Sequence, residues 1–526
     1  MANVIRACVA VTSGLLLAAG FPPVGIWPLS IAGVMLSCLL FSPQCGTRFV
    51  DVPWLGGLMG LGFFVPLLTW LNAIGSDAWL LLSIFLSLWF VLMAPAIRLV
   101  MCLRWWPLWV AATWVTQEAV RTRLPFGGFG WGRLAFSQSE APSAHWAYWA
   151  GAAAVSFVTA LIGTLLAWAI LNRHGSRVRV SAAVIAALAL ALVSAPRLFL
   201  PPATAPTTAA VVQGSVPRSG LDALGQREAV LNNHVLATVQ LAQRVQAGTT
   251  PQPSFVVWPE NSSDIDPTTD RQAGALVTSA AKAVNAPILV GTRINNPVKR
   301  GTLWNVGIVW QPDGSPSQLY AKRQLVPFGE FLPFRAELTQ LVTRFDRIPI
   351  DFAPGSTPGV LSIGGSTIGD VICFEVSNDH IVGDVFRNGA QLLVVQTNNA
   401  TYAHTGIGGT AQPEQQLAMT RLRAIEHARP ALIAATSGVT AVLDDEGREV
   451  ARVPMFESGS RVATVTGRSG LTPGERVGQL PEWLLIGLTI GALIVAATRR
   501  HSRRPEDSGA VGSNDVLFTR EDPAGG

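Results

Sequence analysis

The chain has 526 residues, of which 49% are hydrophobic and only 13% are charged, and its mean hydropathy is positive. This composition excludes an ordinary soluble enzyme and a disordered protein, and it favours a chain that is largely embedded in a membrane. The formal net charge of +5 is explained by arginines beside apolar segments, where such residues set membrane topology. It therefore does not indicate binding to nucleic acid.

Eight apolar segments are candidate membrane spans, since about 20 apolar residues are needed to cross the hydrocarbon core. The first resembles the apolar part of a signal peptide, but no small-residue cleavage pattern follows it, so we predict a retained helix. The sequence thus predicts a multi-pass α-helical membrane domain of about eight helices, seven within residues 1–200 and the eighth within 480–500. The candidate spans are 4–20, 28–43, 54–71, 79–97, 105–120, 146–171, 180–196 and 483–498.

Arginines in the short loops predict the orientation, because cytoplasmic loops carry an excess of Lys and Arg. With a cytoplasmic N-terminus, four basic loops fall on the cytoplasmic side, and one group, Arg121, Arg123 and Arg133, falls outside, where head groups or the protein can hold it. We predict cytoplasmic termini, an external domain over 205–470 and a disordered cytoplasmic tail over 501–526. The cytoplasmic arginines are Arg48, Arg98, Arg104, Arg173, Arg177, Arg179, Arg499, Arg500, Arg503 and Arg504.

Between the seventh and eighth spans, strand-like runs alternate with helical patterns, which predicts an α/β domain. Asp313-Gly314 and Glu446-Gly447 indicate hairpin turns. The residues by themselves favour one mixed sheet covered by helices. The predicted strands are 209–216, 254–258, 287–293, 304–311, 367–374, 391–397, 431–435, 439–443 and 461–465, and the predicted helices are 224–246, 270–284 and 412–428.

Cys373 is the only cysteine between the last two spans, so it forms no internal disulfide within that segment. Glu260 and Lys322 each follow a strand-like run, as Cys373 does. A carboxylate can take the thiol proton, and an ammonium group can stabilise the thiolate and then a tetrahedral oxyanion, joined by the backbone N–H of Phe374. These are the groups that amide and acyl-transfer chemistry requires.

Each of these residues also has a purely structural interpretation. A lone cysteine on a strand is most often a small buried apolar residue, a Glu after Trp-Pro can cap a helix, and a lysine in a loop is usually solvated. Their joint occurrence favours a catalytic site. The seven histidines are scattered without metal-ligand spacing, so we predict no metal site and no cofactor.

The motifs taken together resemble the nitrilase superfamily, and within it the membrane-bound branch of apolipoprotein N-acyltransferases. The likeness extends over nearly the whole chain. It rests on Phe126-Gly-Gly-Phe-Gly-Trp-Gly-Arg-Leu-Ala-Phe-Ser-Gln138, Val212-Gln-Gly214, Trp258-Pro-Glu260, Tyr320-Ala-Lys322, Leu325-Val-Pro-Phe-Gly-Glu-Phe-Leu-Pro333, Ile372-Cys-Phe-Glu375, Thr397-Asn-Asn399 and Arg421-Leu-Arg-Ala-Ile-Glu-His-Ala-Arg-Pro430.

The resemblance implies a nitrilase-like αββα sandwich that stands outside the membrane on the helices. It places the family's Glu-Lys-Cys triad on Glu260, Lys322 and Cys373. It also implies that Glu330 and Glu375 orient Lys322 and tune its charge, although an ordinary structural ion pair is an equal alternative for both.

The resemblance further implies a location in the bacterial cell (inner) membrane and a ping-pong reaction. Its partners would be a phospholipid acyl donor and a diacylglyceryl-apolipoprotein acceptor, with a thioester on the cysteine between the two steps. Two alternatives come from other classes: a membrane-tethered amidase that hydrolyses its thioester, and a catalytically silent scaffold for a partner enzyme. The candidate lipid contacts are Trp131, Phe328, Phe331 and Tyr402, and the stretch Asn398-Asn-Ala-Thr-Tyr402 lacks the Trp-Phe pair that relatives usually carry there.

Overall fold

Apolar helices form the first part of the fold and return at its end. The computed structural model describes residues 1–193, 195–216, 227–341, 349–403 and 408–501; the predicted tail beyond 501 and the Arg503 and Arg504 positions lie outside these ranges. The helices of this part are α1 (Ala2–Ala19), α2 (Trp27–Phe41), α3 (Val52–Leu67), α4 (Ser76–Val100), α5 (Trp106–Arg121), the single turn α6 (Leu134–Ser137), α7 (Ala147–Leu171) and α8 (Arg177–Leu192).

A helix lies at each of the eight predicted spans, the last of them at the C-terminal end of the described residues. Within the described residues, five helices are long and apolar enough to cross a membrane, and α2 is apolar but shorter. Helices α5 and α8 have 16 residues each, which is near the lower limit for a span. The multi-pass helical domain is confirmed, while the count of eight crossings stays a prediction.

The region between the spans is an α/β domain with two sheets. Its strands are β1 (Ala203–Gln213), β2 (Phe255–Val257), β3 (Ile288–Asn295), β4 (Leu303–Trp310), β5 (Pro316–Ala321), β6 (Val360–Ile363), β7 (Ser366–Ile372), β8 (Leu392–Thr397), β9 (Ala431–Ala435), β10 (Thr440–Leu443), β11 (Glu449–Val453) and β12 (Gly459–Arg468). Its helices, and the last apolar helix α15, are α9 (Arg227–Gln246), α10 (Arg271–Val284), α11 (Arg335–Leu341), α12 (Asp379–Arg387), α13 (Ala411–His427), α14 (Pro473–Val477) and α15 (Leu480–His501).

The expectation of one mixed sheet was wrong, and the αββα sandwich implied by the resemblance is what the structure shows. One six-stranded sheet, the first sheet, has the order β12-β1-β2-β3-β4-β5, and the second sheet has the order β11-β10-β9-β8-β7-β6. Side chains from both sheets form a shared core, including Val211, Leu289, Ile368 and Val394. Strands buried on both faces have no polar alternation, so their sequences do not tell which sheet they join.

The two outer faces of the sandwich are covered differently. Helices α9 and α10 pack on the first sheet through residues such as Leu241 and Val277. On the second sheet, residues of α12 and α13 belong to one apolar cluster with Leu67, Trp131 and other residues of the membrane domain. The second sheet, through its helices, is therefore the side of the domain that is fastened to the membrane helices.

Three strands were not predicted from the sequence, and all three are edge strands. β5 ends the first sheet, and β6 and β11 end the second sheet. Because one side of an edge strand faces solvent, its sequence is more polar, as in β5, where the first four residues are exposed. The two hairpin turns were confirmed, since β4 pairs with β5 and β10 with β11 in antiparallel register.

The three arginines that broke the topology pattern are held by the protein. Arg121 is buried and donates to the carbonyl oxygens of Phe129 and Trp131, and Arg123 forms an ion pair with Glu482. Arg133 is buried beside Asp379 and Glu118. Paired in this way, they do not act as free loop charges that would oppose the predicted orientation.

Asp379 joins the two parts of the chain, because its Oδ1 accepts from Arg133 Nη1 at 2.7 Å and from Arg423 Nη2 at 2.6 Å. Both arginine side chains are almost completely buried, at 2% and 0% exposure. We expect Asp379→Asn to lower the free energy of unfolding by about 3 to 5 kcal/mol, because two buried cations lose their shared carboxylate. Denaturant unfolding in detergent micelles would measure the change.

The matched control for Asp379→Asn is Arg448→Gln, which removes the ion pairs of an arginine that is 74% exposed with Asp444 and Glu446. An exposed pair contributes less than about 1 kcal/mol. Equal losses in the two variants would contradict a special contribution from the buried group.

Candidate active site

The three residues of the candidate triad come from both sheets. Glu260 follows β2 and Lys322 follows β5 in the first sheet, whereas Cys373 follows β7 in the second sheet. Lys322 Nζ lies 3.2 Å from Glu260 Oε1. The Glu375 carboxylate accepts from the N–H groups of Arg323 and Ile372, so the residue after Lys322 and the residue before Cys373 meet at one side chain.

Glu260 is held at both oxygens. Asn305 Nδ2, from β4, donates to Glu260 Oε1 at 2.7 Å, and the backbone N–H of Asn398 donates to Oε2 at 2.9 Å. Asn305 Nδ2 also lies 3.0 Å from Glu330 Oε1. The Asn305 amide therefore bridges two carboxylates, a role that its position within an apolar strand did not reveal.

Lys322 is almost wholly buried, and its ammonium group lies between two carboxylates. Glu330 Oε1 lies 2.9 Å from Nζ, as the resemblance implied. Burial alone would lower the pKa of Lys322, but Glu260 and Glu330 more than offset it and hold the pKa well above its ordinary value. The ammonium group is therefore charged at neutral pH and available to stabilise a negative charge nearby.

Cys373 begins a short 3-10 helix, Cys373–Ser377, and has a left-handed backbone with φ of 54°. Such a conformation is uncommon for a non-glycine residue and is often found at functional sites. Burial and then Glu260 raise the pKa of the thiol to about 12, against the opposing effects of Lys322 and Thr397. The resting thiol is consequently protonated and needs a base before it can attack.

Glu375 is wholly buried, and its charge contributes, after those of Glu260, Glu330 and Cys373, to raising the pKa of Lys322. Instead of binding the Lys322 ammonium group as Glu330 does, it binds the chain on either side of Lys322 and just before Cys373. Glu375 thus positions the backbone of the site. The donors to its oxygens, at 2.7 to 2.9 Å, are the Tyr320 hydroxyl and the N–H groups of Arg323, Gln324 and Ile372.

Aromatic residues of the membrane domain surround Phe374. The rings of Trp131 and Phe374 are nearly parallel, at 3°, with centroids 6.3 Å apart. Trp70, which sequence reasoning missed because it lies inside a predicted span, packs against Trp131 and meets the edge of Tyr402 at 4.9 Å. Trp131 and Tyr402 thus belong to one group, with Phe374 and Trp70. The role of the Phe374 N–H as an oxyanion donor stays a prediction.

Phe328 and Phe331 lie in a different place from that group. Phe328 is 46% exposed and its ring meets the edge of Phe126 at 6.4 Å, while the Phe328 N–H donates to the Phe331 carbonyl. Phe126 also packs against exposed Phe334. The candidate lipid contacts therefore divide into a buried group beside the nucleophile and an exposed group between the two parts of the chain.

Comparison with known proteins assigns a family model to each part of the fold. Residues 13–165 match the model described as apolipoprotein N-acyltransferase N-terminal domain, and residues 208–472 match the model described as carbon-nitrogen hydrolase. The two-sheet domain that holds Glu260, Lys322 and Cys373 is thus of the carbon-nitrogen hydrolase class.

Similar proteins are known over almost the whole chain. The apolipoprotein N-acyltransferase of Mycolicibacterium smegmatis is 37% identical over 93% of this chain and 84% of its own length. The proteins of that name from Pseudomonas syringae pv. tomato and Vibrio cholerae are 28% and 26% identical over 93% of this chain, and over 96% and 97% of their own lengths. The chain belongs to the apolipoprotein N-acyltransferase family, which confirms the resemblance; it is an acyltransferase and a membrane protein.

A solved structure of an amidase from Nesterenkonia sp. is also similar. It is 17% identical, with a TM-score of 0.34, and the match covers 51% of this chain and 92% of the amidase.

A second buried acid, Asp370, lies on β7 three residues before the nucleophile. Its carboxyl oxygens and Gln396 Oε1 have no hydrogen-bond partner among the described residues. Asp370 Oδ2 and Gln396 Oε1 lie 2.2 Å and 2.5 Å from the position that a Cβ on Gly307 would occupy. Gln396 Nε2 donates to the carbonyl oxygen of Trp258 at 2.6 Å, two residues before the candidate base.

Burial, and then Glu375 and Glu260, raise the pKa of Asp370 well above its ordinary value. A protonated carboxyl group can donate to Gln396 Oε1, which a carboxylate cannot do. We therefore interpret Asp370 as a neutral carboxyl group that lies near Gln396 Oε1 on the face of Gly307.

Asp370→Asn tests this interpretation through pH. The unfolded carboxyl loses its proton near pH 4, whereas folded Asp370 keeps it, so the wild type loses stability as pH rises from there through the raised folded pKa. Asn keeps a donor and does not titrate. We expect the Tm of Asp370→Asn, relative to wild type, to increase between pH 5 and pH 8 in thermal unfolding, and a constant difference would contradict a protonated Asp370.

Proposed function

We propose that this acyltransferase transfers an acyl chain from the sn-1 ester of a phospholipid to the α-amino group of the diacylglyceryl-cysteine that begins an apolipoprotein. The proposal is supported by the Lys322–Glu260 ion pair and by Glu375, which binds the chain beside both Lys322 and Cys373, in a domain of this family. The sheet that bears Cys373 is also the one packed through α13 against the membrane domain.

The first half-reaction acylates the cysteine. Glu260 takes the proton of the Cys373 thiol while the sulfur attacks the ester carbonyl carbon. Lys322 and the Phe374 N–H stabilise the oxyanion, and one preorganised donor of this kind contributes about 3 to 4 kcal/mol. When the tetrahedral intermediate collapses, the C–O bond breaks and the sn-1 alkoxide takes the proton from Glu260, leaving a thioester and a lysophospholipid.

The second half-reaction passes the acyl chain to the acceptor. The neutral α-amino group attacks the thioester carbonyl and loses a proton to Glu260. The C–S bond then breaks, the amide is released, and the sulfur recovers the proton from Glu260. Two substrates that use one thiol in turn give ping-pong kinetics.

Both proposed substrates are held by lipid, so the site has to open towards the membrane surface. We propose that Trp131 and Tyr402, and separately Phe328 and Phe331, contact the acyl chains. We further propose that the chain lies in the bacterial cell (inner) membrane with residues 205–470 outside the cytoplasm and both termini inside, as the basic loops indicate.

Glu260→Gln tests the contribution of the proposed base without altering the other groups of the site. The amide keeps the size of the carboxylate, but it does not accept the thiol proton. General-base catalysis contributes about 10² to 10⁴ in rate, so we expect the rate of Cys373 acylation by phospholipid to fall by that factor in single-turnover measurements. If Cys373 of the variant is acylated at the wild-type rate, Glu260 is not the general base.

The proposed reaction itself is tested by intact-mass measurement. Purified protein incubated with a phospholipid is expected to gain one acyl mass on Cys373. When a synthetic diacylglyceryl-cysteine peptide is added, the protein is expected to lose that mass and the peptide to gain it. Cys373→Ala should show neither change. Release of the acyl group as free fatty acid, with unmodified peptide, would instead indicate a membrane-tethered amidase-type hydrolase. Lipoprotein acylation that persists in Cys373→Ala would indicate a scaffold for another enzyme.

A further inference from the structure

Two successive glutamines of α13, Gln415 and Gln416, are both 2% exposed and have different partners. Gln416 Nε2 donates to the carbonyl oxygen of Cys373 at 3.1 Å. Its Oε1 accepts from the Thr397 hydroxyl at 2.9 Å and from Asn399 Nδ2 at 2.8 Å. Gln416 therefore connects α13 with the nucleophile and with the chain that follows β8.

Gln415 connects the same helix with the membrane domain. Its Oε1 accepts from the indole N–H of Trp131 at 2.6 Å and of Trp70 at 3.2 Å. Its Nε2 donates to the carbonyl oxygens of Pro22 at 3.0 Å and Leu67 at 3.1 Å. A glutamine amide has two donor hydrogens and an oxygen with two lone pairs, so every hydrogen-bonding position of Gln415 is used.

No other standard side chain of similar size offers both the two donor hydrogens and the two acceptor lone pairs that Gln415 uses here. An indole N–H is only a donor, so both tryptophans need an acceptor when they are buried. A carboxylate would accept from both rings, but it has no donor for the two carbonyl oxygens. A methionine would fill the space and would remove the Gln415 partner of four polar groups, three of which belong to the buried residues Leu67, Trp70 and Trp131.

The two rings held by Gln415 lie against the residues beside the sulfur. Trp131 is parallel to Phe374, the neighbour of Cys373, and Trp70 meets the edge of Tyr402. Because indole rings are large and rigid, their placement determines where the rings of Phe374 and Tyr402 can lie. We call the rings of Trp70, Trp131, Phe374 and Tyr402 the aromatic wall.

We infer that Gln415 is a positioning residue for the acyl donor: it fixes the aromatic wall, and the wall holds the long acyl chain of the phospholipid beside Cys373. The inference rests on the proposed function and adds a determinant of acyl-chain selectivity to it. Gln416, one residue further, positions the nucleophile itself. Two neighbouring side chains thereby keep the lipid contacts and the thiol in fixed relation.

The test compares Gln415→Met with Gln416→Met in the full chain in detergent micelles. The reactions are acylation of Cys373 by a dipalmitoyl phospholipid, acylation by a dioctanoyl phospholipid, and alkylation of Cys373 by iodoacetamide. For Gln415→Met we expect the kcat/KM ratio of palmitoyl to octanoyl donor to fall about tenfold, in line with the loss of one or two net hydrogen bonds. Alkylation should stay within about twofold of wild type, since the reagent does not need the wall.

For Gln416→Met we expect the opposite pattern, with slower reaction of Cys373 towards all three reagents and an unchanged ratio of palmitoyl to octanoyl donor. Trp131→Phe provides a second variant that keeps an aromatic ring, smaller than the indole, but has no N–H. We expect Trp131→Phe to lower the kcat/KM ratio of palmitoyl to octanoyl donor, as Gln415→Met does. The test then still works if one of the two substitutions unfolds the chain.

An unchanged donor ratio in Gln415→Met and Trp131→Phe would overturn the inference, as would an equal loss of alkylation. Failure of the proposed function is recognised separately. In that case wild-type Cys373 reacts with iodoacetamide but gains no acyl mass from either phospholipid. The inference that Gln415 positions a phospholipid acyl donor would then be wrong as well.

Discussion

Glu260 and Lys322 belong to the first sheet, whereas Cys373 belongs to the second sheet, so the distance between the two sheets decides whether the site exists. Two contacts that cross between the sheets lie close to the site: Gln396 Nε2 to the Trp258 carbonyl and the Asn398 N–H to Glu260 Oε2. Being buried, these hydrogen bonds are costly to leave unmade. Together with the shared apolar core, they hold Glu260 next to the sheet that carries Cys373.

The same second sheet carries the connection to the membrane. Helix α13 packs on that sheet, contributes Gln415 to the membrane side and Gln416 to the Cys373 carbonyl, and contributes Arg423 to the buried ion pair with Asp379. A shift of this helix would therefore move the thiol and the lipid contacts together. Helix α13 therefore keeps the Cys373 strand end at a fixed position relative to the apolar helices, which a flexible linker would not achieve.

The sequence predicted those parts of the structure that leave a local pattern. Apolar runs predicted the helices, and the motifs around Glu260, Lys322 and Cys373 predicted the candidate triad. The edge strand β5 is polar, so it left no such pattern. Asn305 and Gln415 are single polar residues in an apolar strand and in a helix, with partners far away in sequence. Such residues acquire their role only through the fold, because neither spacing nor composition records a distant partner.

In the proposed mechanism, Glu330 allows proton transfer at the site without adding a new charge. Burial and Glu260 raise the pKa of the Cys373 thiol to about 12, so a thiolate added to the resting carboxylates would be strongly disfavoured. Transfer of the proton from sulfur to Glu260 leaves the net charge of the site unchanged, and Lys322 stays charged because Glu330 still lies 2.9 Å from its Nζ. The second carboxylate thus keeps the ammonium group in place at the moment when the first one is neutral. In the proposed mechanism Glu330 therefore acts through Lys322, whereas Glu375 raises the pKa of Lys322 and also holds the backbone of the site.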